Sequence, residues 1–171
     1  MRVDSAQTSF FEGREFRTFK ELSILTATTY VIKVVTPIDL ILNSLEATID
    51  QGSLRVSTHV TGTEGGSFSE VLPVFGANRM TSRRVGYAGV GGYYDSQVVL
   101  TAGGTHAGGI ELDIIRLKAN NNLNQAASVG SSPFDERGVA AATYYFRLQN
   151  IGADTVTGTF KARWEERVFL P

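Results

Sequence analysis

Through much of this chain apolar and polar residues alternate with a period of two. Between Thr155 and Trp164, Val156, Phe160, Ala162 and Trp164 fall on one side, against Thr155, Thr157, Thr159, Lys161 and Arg163. From Ser53 to Val60, Leu54, Val56 and Val60 oppose Ser53, Arg55, Ser57 and His59, and from Asn43 to Ile49, Leu45, Ala47 and Ile49 oppose Ser44, Glu46 and Thr48. A strand sends successive side chains to opposite faces, so this spacing predicts strands with one dry and one wet face. Residue choice and local pattern predict more strands at Phe16–Ile24, Thr28–Val35, Glu70–Val74, Ser96–Thr101, Gly109–Leu117 and Thr143–Asn150. These stretches are rich in the β-branched and aromatic residues that suit a pleated surface. Between the strands stand Asp50-Gln51-Gly52, Gly62 to Gly66, Gly103-Gly104 and Asn150 to Asp154. The only helical signal is weak, around Leu123 to Ala127. The pattern predicts one all-β domain over residues 1–171, an antiparallel, jelly-roll-like β-sandwich of about eight to ten strands.

Three stretches break the alternation. Residues 1–14 are polar and then abruptly aromatic at Phe10-Phe11, which reads as an arm before the sheet. Residues 76–95 carry Arg79, Arg83 and Arg84, then the Gly/Tyr run Gly86 to Tyr94. Residues 119–135 are rich in Asn, Ser and Ala. Loops of this length in a compact domain point to binding or mobility.

Composition narrows the chemistry. With 171 residues, 42% hydrophobic, the chain can bury a sizeable core. A net charge of −1 lacks the basic surplus that non-specific nucleic-acid or anionic-membrane binding requires, so neither partner is expected. The absence of cysteine removes disulfides, thiolate metal sites and thiol nucleophiles. The greasiest stretch, Tyr30 to Leu42, is interrupted by Lys33, Pro37 and Asp39. The N-terminus has no signal-like apolar run, which reads as a product made and kept soluble in the cytoplasm.

Catalytic motifs fare poorly. His59 and His106 lack the close spacing that places two imidazoles on one metal, and they read as surface or turn residues. Glu165 and Glu166 are neighbours and face opposite sides of a strand, so they cannot act as the paired carboxylates of a glycosidase. Asp135-Glu136-Arg137-Gly138 reads as a turn with a local ion pair. Gly89-Val90-Gly91-Gly92 lacks the lysine of a phosphate loop. No enzyme activity, metal or cofactor is expected. A serine, an acid and a histidine can still be brought together by folding alone.

Binding features are richer. Phe10, Phe11, Arg14, Phe16, Arg17, Phe19 and Lys20 interleave aromatics with cations. Phe16 and Phe19 read as core residues of the first strand. Phe10 and Phe11 are consecutive and cannot share one core face, so with Arg14 and Arg17 they become candidates for partner contact. Tyr87, Tyr93 and Tyr94 suit a subunit interface, with stacking on sugar rings as the alternative.

The run Phe10 to Glu21, together with Thr143 to Gly152 and Gly158 to Glu166, resembles small virion proteins of tailed bacteriophages. The resemblance implies a non-enzymatic β-sandwich that decorates and cements the capsid exterior, usually as a homotrimer, with the major capsid protein and itself as partners. A tail or neck accessory, or a carbohydrate-binding host-recognition module, is the alternative.

Overall fold

The computed structural model describes residues 13–77, 96–119, 127–129 and 137–166. Among them are fourteen strands and no helix: β1 (Glu15–Ile24), β2 (Thr29–Thr36), β3 (Leu40–Gln51), β4 (Ser53–Val60), β5 (Thr63–Gly65), β6 (Glu70–Val71), β7 (Phe75–Gly76), β8 (Val99–Ala102), β9 (Thr105–Ala107), β10 (Ile110–Lys118), β11 (Ala127–Val129), β12 (Arg137–Val139), β13 (Ala142–Asn150) and β14 (Val156–Glu166). The first sheet runs β3–β14–β1–β7, with β11 and β12 pairing with separate stretches of β3. The second runs β10–β4–β13–β2–β8–β6, and β5 with β9 makes a separate two-stranded ribbon. The ladders are antiparallel, as alternating one-sided strands require.

The two sheets form a β-sandwich around one core. Phe16, Ile49, Val156, Phe160 and Trp164 enter it from the first sheet, and Ile32, Leu54, Val56, Leu100, Phe146 and Leu148 from the second. Phe146 and Phe160 meet between the sheets with ring centroids 5.5 Å apart. Each such side chain contributes roughly 1.5–3 kcal/mol through removal from water. On β14 the predicted inward set of Val156, Phe160, Ala162 and Trp164 is buried throughout.

Three crossings between the sheets gather at one end of the sandwich: residues 25–28 after β1, Gly52 after β3, and residues 151–155 after β13. Gly52 turns the chain at φ +86°, and a Cβ there would lie 2.9 Å from Val156 Cγ2, so no other residue fits without strain. Asn150, 3% exposed, ties the crossings together. Its Nδ2 donates to Ile24 O at 2.9 Å and Asp154 O at 2.7 Å, while Oδ1 accepts from Gly152 N at 2.9 Å. Its backbone N–H donates to Thr28 O, and the next N–H, of Ile151, reaches Ser53 O. Elsewhere Glu166, wholly buried, is satisfied by Trp164 Nε1 at 3.1 Å, Gln97 N at 3.1 Å and the Ser96 hydroxyl. These donors make an interior carboxylate tolerable.

Several expectations need correction. Phe19 is not a core residue: it lies three positions from Phe16, an odd offset on a strand, and is 47% exposed while Phe16 is buried. Strand pairing stops at Val71 where continuation to Val74 was expected, and the strand expected over Ser96–Thr101 is Val99–Ala102. The expected arm ends earlier than residue 14, because Arg14 O accepts from Glu166 N at the end of the β1–β14 ladder. The stretch 119–135 is not all loop, since Ala127–Val129 pairs with β3, and the turn expected over Asp135 to Gly138 does not hold at Arg137 and Gly138, which belong to β12. Residues 123–126, 78–95 and 1–12 lie outside the described residues.

Asn150→Ala leaves two carbonyls and one N–H at the crossings without their partner. The expected loss is about 2–4 kcal/mol of unfolding free energy with an unchanged denaturant slope, measured by urea titration. A loss below about 0.5 kcal/mol shows that the crossings hold without the amide.

Candidate functional site

The residues expected to meet a partner separate in the structure. Arg14 is held internally: its side chain is 13% exposed, and Nη1 donates to Glu165 Oε1 at 2.8 Å. Arg17 points outward from β1, between Arg163 of β14 and Phe75 of β7 in the ladder. One step along, Phe19 sits opposite Lys161 and stacks on Phe75, with ring centroids 5.9 Å apart and planes at 13°. Arg163 is bound to Glu15 Oε2 at 2.5 Å, whereas Arg17 and Lys161 have no ion-pair partner among the described residues. The outer face of the first sheet therefore presents an aromatic pair flanked by two cations outside any ion pair among the described residues, with Glu46 opposite Lys161 in the ladder. Phe10, Phe11, Tyr87, Tyr93 and Tyr94 lie outside the described residues.

The outer face of the second sheet is different, and it overturns the reading of the histidines as surface or turn residues. A transverse row crosses four strands in register: Lys33 on β2, Tyr145 on β13, His59 on β4 and Glu111 on β10. The β5–β9 ribbon lies over this row. Its Glu64 takes Lys33 Nζ at 2.7 Å and accepts the Tyr145 hydroxyl. Its His106 stacks on Tyr145, with centroids 3.8 Å apart and planes at 11°. His106 Nε2 lies 2.7 Å from Thr61 O, and Nδ1 accepts from Arg147 Nε at 3.0 Å, which assigns the neutral Nε2–H tautomer. Gly62 makes the close fit possible, since a Cβ on it would run into His106 Nε2.

His59 lies beneath, 4% exposed, its ring 5.8 Å from that of His106. Nε2 contacts Ser57 Oγ at 3.0 Å and has Glu111 Oε2 at 3.5 Å, while Nδ1 has no partner among the described residues. Burial, and next the Arg147 charge, hold this imidazole below its ordinary range, with Glu111 opposing. Burial and the bond to Glu64 push the Tyr145 phenol up to about 12. Hydrogen bonds from Lys33 and then Tyr145 hold the Glu64 carboxyl below its usual range.

Ser57, His59 and Glu111 supply the residue types of a nucleophilic triad, but not its geometry. A triad places the serine on one ring nitrogen and the acid on the other. Here both approach Nε2, and Ser57 is 1% exposed, out of reach of any substrate. The cluster is built to clamp the ribbon. Among the described residues no three His, Asp or Glu side chains converge as metal ligands. Between the sheets, where β10 faces β12, an apolar cavity of about 450 Å³ is lined by Leu40, Leu45, Leu112, Val139, Phe146 and Trp164 among others. Comparison with protein-family models, curated proteins and solved structures finds no match.

The histidine cluster escaped sequence reading because its members come from six strands. Alternation did place Ser57 and His59 on one side; the error was to equate that side with water, which the ribbon excludes. The Phe19–Phe75 pair escaped because Phe75 lies in a two-residue strand.

His59 sets a pH dependence. Its folded-state affinity for protons is depressed, so the unfolded chain, titrating near pH 6.5, binds more protons in acid, and stability drops as the pH is lowered. The urea midpoint is expected to hold above about pH 7.5 and to decline below about pH 6.5, less steeply in His59→Gln. Equal wild-type midpoints at about pH 7.5 and 5.5 contradict the assignment.

Proposed function

We propose that this chain is a non-enzymatic structural protein of a tailed-bacteriophage particle, which binds the capsid exterior and bridges major capsid subunits. What carries the docking part of the reading is the outer face of the first sheet. Phe19, 47% exposed, and Phe75 form an aromatic platform beside Arg17 and Lys161. Aromatic and arginine side chains are the usual anchors of protein interfaces, and unpaired cations around them favour an acidic rim on the partner. Residues 1–12, with Phe10 and Phe11, immediately precede the first strand of this sheet in sequence. The virion assignment itself rests on the resemblance of the three runs named above. Self-association as a trimer, with Tyr87, Tyr93 and Tyr94 at the subunit boundary, belongs to the same reading.

The test is a photo-crosslinking residue at position 19 in particles that carry the protein, with copy number by gel densitometry. The expected adduct is with the major capsid protein, at copies in the hundreds. Arg17→Glu combined with Phe19→Ser is expected to weaken particle binding by at least about tenfold, with an unchanged circular-dichroism spectrum because both side chains face outward. Absence from purified particles, or unchanged binding by the double variant, overturns the reading. A few copies confined to the tail or neck moves the docking site there.

A further inference from the structure

We propose that acid releases the β5–β9 ribbon from the second sheet, so that the fold carries a built-in pH-sensitive cover over the Tyr145 face. The ribbon's polar hold on the sheet runs through Glu64 and His106. Glu64 is fixed by Lys33 of β2 and Tyr145 of β13. His106 is fixed by its stack on Tyr145 and by Arg147, whose Nη2 also donates to Gly108 O at the end of the ribbon. The second bond requires a neutral acceptor at His106 Nδ1, because a protonated nitrogen there sets N–H against guanidinium N–H.

His59 supplies the trigger. The charged and titratable groups around it come from each element packed against it: Arg55 on β4, Glu111 on β10, Tyr145 and Arg147 on β13, His106 on β9, with Lys33 and Glu64 beyond. Lys33 is matched by Glu64 and Arg55 by Glu111, whose Oε2 lies 2.5 Å from Arg55 Nη2. Arg147 has no carboxylate within ion-pair distance among the described residues. Closed, the cluster thus holds one uncompensated cation beside two imidazoles, and His59 Nδ1 lacks an acceptor. A second proton on His59 adds charge beside Arg147, where the one carboxylate within reach, Glu111, is already bound to Arg55 and Nδ1 is closed off from solvent. Lifting the ribbon brings water to Nδ1 and takes His106 away from Arg147. The open state therefore binds the proton more readily, and acid favours it by linkage. The lowered proton affinity of His59 in the closed state has the sign this requires. The inference stands independently of the docking role proposed for the first sheet.

Hydrogen exchange of the full chain, followed by mass spectrometry at about pH 7.5 and 5.5 and corrected for intrinsic rates, reads the release directly. Peptides covering 61–66 and 104–108 are expected to lose protection by up to about tenfold per pH unit for a single coupled proton, while those of β1, β3 and β14 stay far better protected at both pH values and fall no further than the urea midpoint does. His59→Gln, neutral at every pH, is expected to remove the pH dependence. Tyr145→Phe is expected to loosen the ribbon equally at both pH values and leave the dependence in place. Unchanged ribbon protection in acid overturns the proposal. So does an acid loss of the same size in His59→Gln, or ribbon protection equal to that of β1, β3 and β14 at both pH values, which would be exchange through global unfolding. Retained protection of β14 in each variant shows that the fold itself has survived.

Discussion

The buried side chain of Asn150 is the constraint on which the arrangement depends. A two-sheet sandwich must carry its chain from one sheet to the other, and each crossing exposes backbone groups that no ladder satisfies. Here the three crossings after β1, β3 and β13 share one end, and a single amide serves two of them with both its donors and its acceptor. An apolar residue of similar size would fill the space but leave those groups unpaired, at a cost of about 1–3 kcal/mol each. With the crossings fixed, β14 lies between β1 and β3, and the faces of both sheets are determined.

The two outer faces then diverge in character. That of the first sheet keeps an aromatic pair and two cations in water, with Phe19 at its centre. That of the second is roofed by a ribbon of two three-residue strands, too short to be stable alone. The ribbon stays because side chains beneath it supply ion pairs, stacking and hydrogen bonds in a site nearly closed to solvent. Interactions of this kind are strong when complete and costly when one partner changes charge, which suits the cluster to clamping the ribbon. The orphaned Nδ1 of His59 marks where the clamp is weakest.

Much of the fold was legible because alternation is a direct consequence of strand geometry. β14, β4 and β3 followed from it almost residue by residue. Short strands such as β5, β7, β9 and β11 were not legible, since two or three residues carry no period. Phe19 was misassigned because residue type was allowed to outweigh spacing: its offset from Phe16 already placed it outside. Of the residues expected to meet a partner, Arg17 faces outward from β1. Arg14 was named with it, yet its guanidinium is committed to Glu165, a partner 151 positions away that no local pattern could indicate. The histidines were missed for the same reason, as their proximity exists only once β4, β9 and β13 are assembled.

The central claim is that the two faces have different fates, the first sheet's meeting a partner and the second's being closed by its own ribbon. Hydroxyl-radical footprinting of side chains, on the free protein and on the protein bound to its particle at neutral pH, tests both halves at once. The account predicts that Phe19 and Phe75 are oxidised in the free protein and protected on the particle, while Tyr145 and His106 stay unreactive in both. Equal oxidation of Phe19 and Phe75 in the two states, or a reactive His106 in the free protein at neutral pH, contradicts it.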